Sequence, residues 1–184
     1  MPVVLQNRQR VVALDRVWLR RTAEAVLSAA RADNAELSLV LVSDRRMRAL
    51  NRQYRKKDRP TDVLAFPLIE RRSAETSRCL TRPPRTPQDA SKTRGRPQAR
   101  PSDVGDGPPM LLGDVVISVP TARRQAAELG HGLREELRRL LVHAVLHLMG
   151  YDHERGPRDA ALMARKEQAI LKALGGRVRV RVQE

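Results

Sequence analysis

GLREELRRLLVHAVLHLMG, residues 132–150, is the stretch that decides the fold. Apart from His143 and His147, every side chain from 140 to 148 is apolar, which predicts a long helix buried on most sides. Gly150 can take the left-handed conformation that ends a helix and turns the chain back. Other elements must surround such a helix, and the rest of the sequence supplies candidates for them.

The first 67 residues alternate between strand and helix patterns. Apolar side chains at helical spacing or in short β-branched runs, bounded by capping residues or proline, define five elements. The predicted elements are strand 3–12, helix 15–32, strand 35–43, helix 44–55 and strand 61–67. The chain therefore opens as β-α-β-α-β.

The second half is mainly helical. The predicted elements are strand 110–120, helix 121–129, helix 132–150 and a last helix from Pro157 to the glycine pair 175–176. The tail RVRVRV, residues 177–182, alternates, and we interpret it as a frayed basic end rather than an edge strand. The fold class expected is α/β or α+β, a small mixed sheet packed with about five helices.

Residues 71–109 break this pattern. They carry seven of the twelve prolines and nine basic residues against four acidic ones, with few large apolar side chains. Such a composition cannot offset the entropy lost on folding, so we predict a disordered surface insertion within a single domain, 1–184. It is either a loose polyanion-binding arm or an inert loop, because long surface loops cost little extra closure entropy.

Composition narrows the possible functions. The 184 residues suit one domain. A formal charge of +15 attracts polyanions, and nucleic acid is the natural partner. The alternative is that the many arginines merely reflect the composition of the genome. The single cysteine, Cys79, excludes a disulfide framework. No signal sequence or membrane-length apolar run is seen, so we expect a soluble cytoplasmic protein with no membrane partner. With four aromatic residues, RNA would be held mainly by phosphate contacts.

Three of the four histidines follow the spacing H-x-x-x-H-x-x-G-x-x-H from residue 143. His143 and His147 lie one helical turn apart, so both imidazoles can reach one ion, at the end of the long buried helix. The turn at Gly150 would bring His153 to the same ion. Three neutral imidazoles leave one position open, which is typical of catalytic zinc, although nickel or copper would also bind.

The same spacing occurs in zinc proteases, where a glutamate follows the first histidine and acts as general base. Ala144 occupies that position and accepts no proton, so peptide hydrolysis by that mechanism is disfavoured. Asp152 and Glu154 flank His153. They can orient a ligand histidine, act as a base, or simply form a solvated turn.

Three segments together resemble the YbeY family of bacterial rRNA maturation factors, regarded as single-strand-specific, metal-dependent endoribonucleases. The segments are LNRQYRKKDRPTDVLAFP (50–67), LLGDVVIS (111–118) and HAVLHLMGYDH (143–153). The chain differs from the family pattern at Ala144, where glycine is usual, and at Ala65, where serine is usual. The connection at 71–109 is also longer than in the family, which leaves its part in substrate binding open.

The resemblance implies that His143, His147 and His153 bind one zinc ion and that Arg55 is important for RNA cleavage. It implies a nuclease acting in rRNA maturation, at the 3′ end of small-subunit rRNA, and in ribosome quality control, with rRNA, the small subunit and ribosome-assembly proteins as partners. No organic cofactor is expected. The general base stays open among Asp152, an RNA 2′-hydroxyl and zinc-bound hydroxide. The alternatives are a metalloprotease-like amide hydrolase and a non-catalytic, zinc-containing assembly factor.

Overall fold

A four-stranded mixed sheet lies at the centre of the computed structural model, which describes residues 3–68 and 110–175. The strands lie in the order β1-β2-β4-β3; the first three are parallel, and β3 runs antiparallel to β4. Their bounds are β1 Val3–Asn7, β2 Ala35–Val42, β3 Val63–Pro67 and β4 Met110–Ser118. The predicted mixed sheet and α/β class are confirmed.

Five helices in the described ranges surround the sheet, and each corresponds to a predicted helix. They are α1 Arg16–Ala29, α2 Asp44–Arg55, α3 Val119–Glu128, α4 Leu133–Leu148 and α5 Pro157–Ala173. Asp15 caps α1 by accepting a hydrogen bond from Trp18 N at 3.0 Å. At the other end, α1 stops short of the predicted Ala32, because Arg31 takes a positive φ of 59°.

The apolar helix α4 is the centre of the core. It packs against α1, α3, α5, β3 and β4, and its residues Leu141, Val142 and Val145 are fully buried. Ala144 is fully buried as well. A carboxylate at this position would therefore lie in the apolar core, where an unpaired charge is strongly unfavourable.

The first strand is shorter than predicted. It ends at Asn7 rather than residue 12, because the side chain of Gln9 satisfies the backbone that follows. Its Oε1 accepts hydrogen bonds from Val11 N at 2.8 Å and Val12 N at 2.9 Å, and its Nε2 donates to Val12 O at 2.8 Å. A side chain that offers the backbone local partners in this way competes with strand pairing.

Asp44, the first residue of α2, ties that helix to the start of α3. Its Oδ1 accepts hydrogen bonds from Ser118 Oγ at 2.5 Å and Thr121 Oγ1 at 2.7 Å, and its Oδ2 accepts one from Arg124 Nη1 at 2.8 Å. The two helices therefore hold a fixed relation, and the C-terminal end of α2 carries Arg55.

Gly113 lets β3 approach β4 and the end of α4. Leu112 is the extra residue of a bulge in β4, since Glu36 pairs with Leu111 and Leu37 pairs with Gly113. A Cβ on Gly113 would lie 2.2 Å from the carbonyl oxygen of Phe66 and 3.0 Å from Leu148 Cδ2. Only glycine fits this crossing, where its φ is +143°.

Two predictions fall on residues outside those described. They are the disordered insertion at 71–109, which contains Cys79, and the frayed tail at 177–182. Within the described ranges, no helix has the length and apolar character needed to cross a membrane.

Candidate metal centre

The C-terminal end of α4 turns the chain back on itself. Gly150 adopts a φ of +87°; its N–H donates to His147 O at 2.8 Å, and Tyr151 N donates to Leu146 O at 3.0 Å. This pair of bonds is the Schellman arrangement, in which a left-handed glycine follows the last helical residues. The reversal predicted at Gly150 therefore forms, and it returns the chain towards the last turn of the helix.

The reversal brings the three predicted ligand histidines together. Ring centroids lie 4.7 Å apart for His143 and His147, 5.1 Å for His147 and His153, and 5.4 Å for His143 and His153. One nitrogen from each ring lies within 4.8 Å of the others, and the Nε2 atoms of His143 and His147 are 3.1 Å apart. Tetrahedral zinc with bonds of about 2.0–2.1 Å would hold its nitrogens about 3.3 Å apart.

The chemistry of the three rings suits a cation. Burial, followed by the neighbouring rings of His143 and His153, lowers the pKa of His147 from 6.5 to about 4, so its imidazole is neutral near pH 7. His153 Nδ1 is buried and has no hydrogen-bond partner among the described residues. A buried nitrogen that makes no hydrogen bond destabilises the folded state unless a metal ion binds it. This group of residues can therefore hold a metal ion.

Glu167 on α5 lies behind the first histidine. Its Oε2 is 3.6 Å from His143 Nδ1, and both side chains are mostly buried. Carboxylates in this position commonly fix the ring orientation of metal-binding histidines. Sequence reasoning missed Glu167, because a glutamate within a polar helical face carries no signal of a partner 24 positions away.

Arg55, the residue singled out from the family resemblance, lies beside the turn that carries His153. It ends α2, and its Nη2 is 3.6 Å from Glu154 Oε1. Its side chain is 44% exposed, so the guanidinium can meet a ligand from solvent. The structure therefore brings Arg55 and the histidines to one region, although they are separated by about 90 residues in the sequence.

Asp152 has both carboxylate oxygens engaged within the turn. Its Oδ1 accepts a hydrogen bond from Glu154 N at 2.9 Å, and its Oδ2 lies 3.3 Å from Arg155 Nε. The backbone N–H of Glu154 is the main cause of a lowered pKa for Asp152. A carboxylate held in this way shapes the turn that presents His153, and its lowered pKa makes it a weaker base.

A cavity of about 260 Å³ adjoins Arg55 on the side of the loop 56–62. Besides Arg55, its lining includes two further cations, Lys57 and Arg59, and side chains from α2 and α3. We call it the Arg55 cavity. The cavity could not be predicted from the sequence, because its α3 residues lie about 60 positions away from the loop.

The chain is similar to a known family along most of its length. The family model described as Endoribonuclease YbeY matches residues 4–175. A protein named Endoribonuclease YbeY from Aquifex aeolicus is 38% identical over 172 residues, covering 94% of this chain and 91% of the relative. Another with that name, from Pelotomaculum thermopropionicum, is 41% identical over 175 residues, covering 93% and 95%.

A solved structure shares the fold. The solution structure of TM1509 from Thermotoga maritima matches with a TM-score of 0.55 and 21% identity, covering 94% of this chain and 89% of that one. At this identity the likeness extends to the fold alone.

Proposed function

The chain belongs to the endoribonuclease YbeY family, and on that premise we propose that it is a zinc-dependent endoribonuclease, a hydrolase that cuts single-stranded RNA. We assign it to rRNA maturation, at the 3′ end of small-subunit rRNA, and to ribosome quality control. The observation that carries the chemistry is the cluster of three imidazoles with Arg55 at its side.

His143, His147 and His153 would hold one zinc ion. When bound, zinc supplies a Lewis acid for the phosphodiester and lowers the pKa of water. Glu167 keeps the ring of His143 in place, and Asp152 shapes the turn that presents His153. Both acidic residues position the ligands in this proposal, and the choice between this role and that of a general base is tested for Asp152 below.

Arg55 stabilises the reacting phosphate. A guanidinium can donate two parallel hydrogen bonds to phosphate oxygens and offset the charge that develops on them. Its ion-pair partner Glu154 is 68% exposed, and an ion pair at 3.6 Å in solvent is weak. A phosphate can therefore replace the carboxylate at little cost in free energy.

The net charge of the chain and its family membership together support a set of binding partners. A formal charge of +15 supports binding to the phosphate backbone of rRNA and to the small ribosomal subunit, with assembly proteins as further partners. We propose that the protein works in the cytoplasm, where these partners are found.

The two alternatives have less support. An amide hydrolase of the protease type needs a base beside the first histidine, and Ala144 at that position is fully buried in the core. A non-catalytic assembly factor would need the metal for its fold alone, a role that does not require the open fourth position that three imidazoles leave.

Elemental analysis and RNA cleavage together test the function. Purified protein should carry about one zinc per chain and cut a defined single-stranded RNA, and His147→Ala should lose both properties. Arg55→Ala should keep the zinc but cleave about 100-fold more slowly, the scale of losing one donor to a developing oxyanion.

Arg52→Ala is the matched control, since Arg52 is an exposed arginine in the same helical turn and does not line the Arg55 cavity. It should cleave like the wild type. If His147→Ala folds, binds rRNA and supports ribosome assembly normally, the non-catalytic alternative is correct. Peptide turnover without RNA cleavage would favour the amide hydrolase.

A further inference from the structure

The loop beside the Arg55 cavity is held in place by its backbone. Asn51 Nδ2 donates to Arg59 O at 2.7 Å, and Lys57 N donates to Asn51 O at 3.3 Å. At the far end of the loop, Ser118 N donates to Asp62 O at 2.8 Å. Contacts to α2 and β4 therefore fix the loop at both ends, and its side chains project from a set backbone.

Three exposed cations line the cavity: Arg55, Lys57 and Arg59. Asp58 lies between the last two in the sequence but does not line the cavity. Its carboxylate instead accepts hydrogen bonds from Arg48, from Nε at 2.9 Å and from Nη2 at 2.6 Å. The acidic residue nearest to these cations in the sequence is therefore already paired with another arginine.

Asp62 is the one carboxylate among the described residues that line the cavity. Its Oδ1 accepts hydrogen bonds from Thr61 Oγ1 at 3.0 Å and Val63 N at 2.9 Å, and its Oδ2 accepts one from Gln125 Nε2 at 3.1 Å. Three donors thus hold this carboxylate in the wall of the cavity. The three cations exceed it by two positive charges.

The cations of the loop have no carboxylate partner within the described parts of the chain. Neither Lys57 nor Arg59 forms an ion pair there, and Arg55 reaches Glu154 only at 3.6 Å in solvent. Like charges grouped at one site repel each other unless an anion joins them. Phosphate is the anion that arginine and lysine bind with strong, charge-assisted hydrogen bonds.

Arg55 connects the cavity to the metal centre. Its guanidinium lies beside the turn that carries His153, and its side chain also lines the cavity. The cavity volume of about 260 Å³ is below the range of drug-sized ligand sites, ~300–1,000 Å³, so it suits a phosphate and its sugar rather than a longer segment. An RNA strand whose reacting phosphate lies at Arg55 can therefore continue into the cavity.

We propose that the Arg55 cavity is a second phosphate subsite, in which Lys57 and Arg59 bind a backbone phosphate of single-stranded RNA next to the reacting one. The subsite rests on the proposed function, because the reacting phosphate at Arg55 sets where the neighbouring phosphate lies. Contacts to phosphate position a strand but carry no sequence information. The subsite therefore fixes the register and direction of the RNA without choosing a base.

Titration with short ligands tests the subsite without relying on cleavage. The zinc-loaded full chain is titrated with the dinucleotide ApA, which has one phosphate, and with pApA and ApAp, which carry a second phosphate at the 5′ or the 3′ end. NMR follows binding. At least one of the two-phosphate ligands should bind about tenfold more tightly than ApA, the scale of one charge-assisted hydrogen bond. The backbone N–H signals of Lys57, Arg59 and Thr61 should shift with that ligand and not with ApA.

Two double variants with equal loss of charge locate the second phosphate. Lys57→Met/Arg59→Met removes both loop cations and should abolish the gain from the second phosphate, whatever the bases of the ligand. Arg52→Met/Lys56→Met is the matched control, since Arg52 and Lys56 are exposed cations that do not line the cavity. The control should keep the gain. Neither pair of changes touches the backbone contacts that fix the loop.

The subsite is wrong if neither pApA nor ApAp binds more tightly than ApA, or if the gain survives in Lys57→Met/Arg59→Met. It is also wrong if the control loses the gain to the same extent, because the effect would then be one of diffuse charge. Inorganic phosphate is the last probe. If it occupies the cavity at the same concentrations as the two-phosphate ligands, the site is one for free anions and not for RNA.

RNA cleavage by the same preparations keeps the subsite apart from the proposed function. Cleavage without any gain from the second phosphate overturns the subsite alone. A gain that depends on Lys57 and Arg59, without cleavage of RNA, overturns the nuclease and leaves a phosphate-binding cavity.

Discussion

Single side chains outside the ligand set decide how well the metal centre is formed. Glu167 is the clearest case, at 3.6 Å from His143 Nδ1. Glu167→Gln keeps the shape but removes the charge, and we expect metal affinity to fall roughly 10-fold or more, as for other carboxylates behind ligand histidines. Competition with a chelating dye measures it.

The control for this change is Glu128→Gln, since Glu128 is an exposed glutamate on α3, a helix that carries none of the three histidines. It should leave metal affinity unchanged. Equal affinity in the two variants would mean that Glu167 only packs against the ring.

Asp152 has two candidate roles, and one pair of variants separates them. Asp152→Asn keeps an oxygen for the N–H of Glu154 at 2.9 Å but cannot take a proton. If Asp152 shapes the turn, Asp152→Asn should cleave RNA within a few-fold of the wild type, and Asp152→Ala should lose about 10-fold or more through misplacement of His153. Single-turnover cleavage measures both.

If Asp152 is instead the general base, the two variants should behave alike. Both variants would then lose activity to the same extent, about 100-fold or more. A lowered pKa for Asp152 already favours the turn role.

At the scale of elements, the crossing of β3, β4 and α4 depends on one glycine. Gly113→Ala would place a methyl group 2.2 Å from the backbone carbonyl of Phe66, at a φ unfavourable for any side chain. We expect destabilisation of about 3 kcal/mol or more, from overpacking and backbone strain together. Urea unfolding measures it.

Gly132→Ala is the comparison, because a Cβ there meets nothing within 4 Å and φ is an ordinary −77°. It should change stability by less than about 1 kcal/mol. Equal effects at both positions would mean that β3 can move away from β4 at low cost.

Local patterns predicted the elements well, and the conformations of individual residues set some of their ends. Periodicity identified all five helices, and the sequence signal at Gly150 predicted the turn that brings His153 back. The end of β1 was missed, because it depends on how one side chain, Gln9, folds over its neighbours. Glu167 was missed because only the tertiary fold brings it to His143.

At the scale of the whole molecule, charge and topology act together. Residues 71–109 hold nine basic and four acidic residues, five of the +15 net charge. They join strands paired antiparallel, with Leu68 N donating to Leu112 O at 3.3 Å, so a short turn can close this hairpin. The three histidines and the described residues that line the Arg55 cavity belong to other parts of the chain.

Replacing 71–109 by a short Gly/Ser turn should therefore keep RNA cleavage within a few-fold. If the segment binds RNA, the dependence of affinity on salt should become shallower, because fewer cations reach phosphate. An unchanged salt slope would identify the segment as an inert loop. Filter binding across 50–200 mM salt measures the slope.

The order of the strands and the site around Arg55 could not be predicted from the sequence, because both depend on contacts between residues far apart in the chain. The pattern indicates that a strand exists but not that β4 lies between β2 and β3, which long-range pairing decides. The grouping of the three histidines was predictable because they are local, whereas Arg55 was identified only through the family pattern.

That locality has a thermodynamic consequence. All three imidazoles belong to eleven consecutive residues, 143–153, so an ion that binds them closes only a short ring of chain and joins no distant parts of the molecule. The unfolded polypeptide keeps the same three ligands within reach of one another and retains part of its affinity for the ion. A ligand that binds both states raises the melting temperature less than its native affinity alone would suggest. Removing the ion should therefore abolish the activity of the site and lower the melting temperature only slightly.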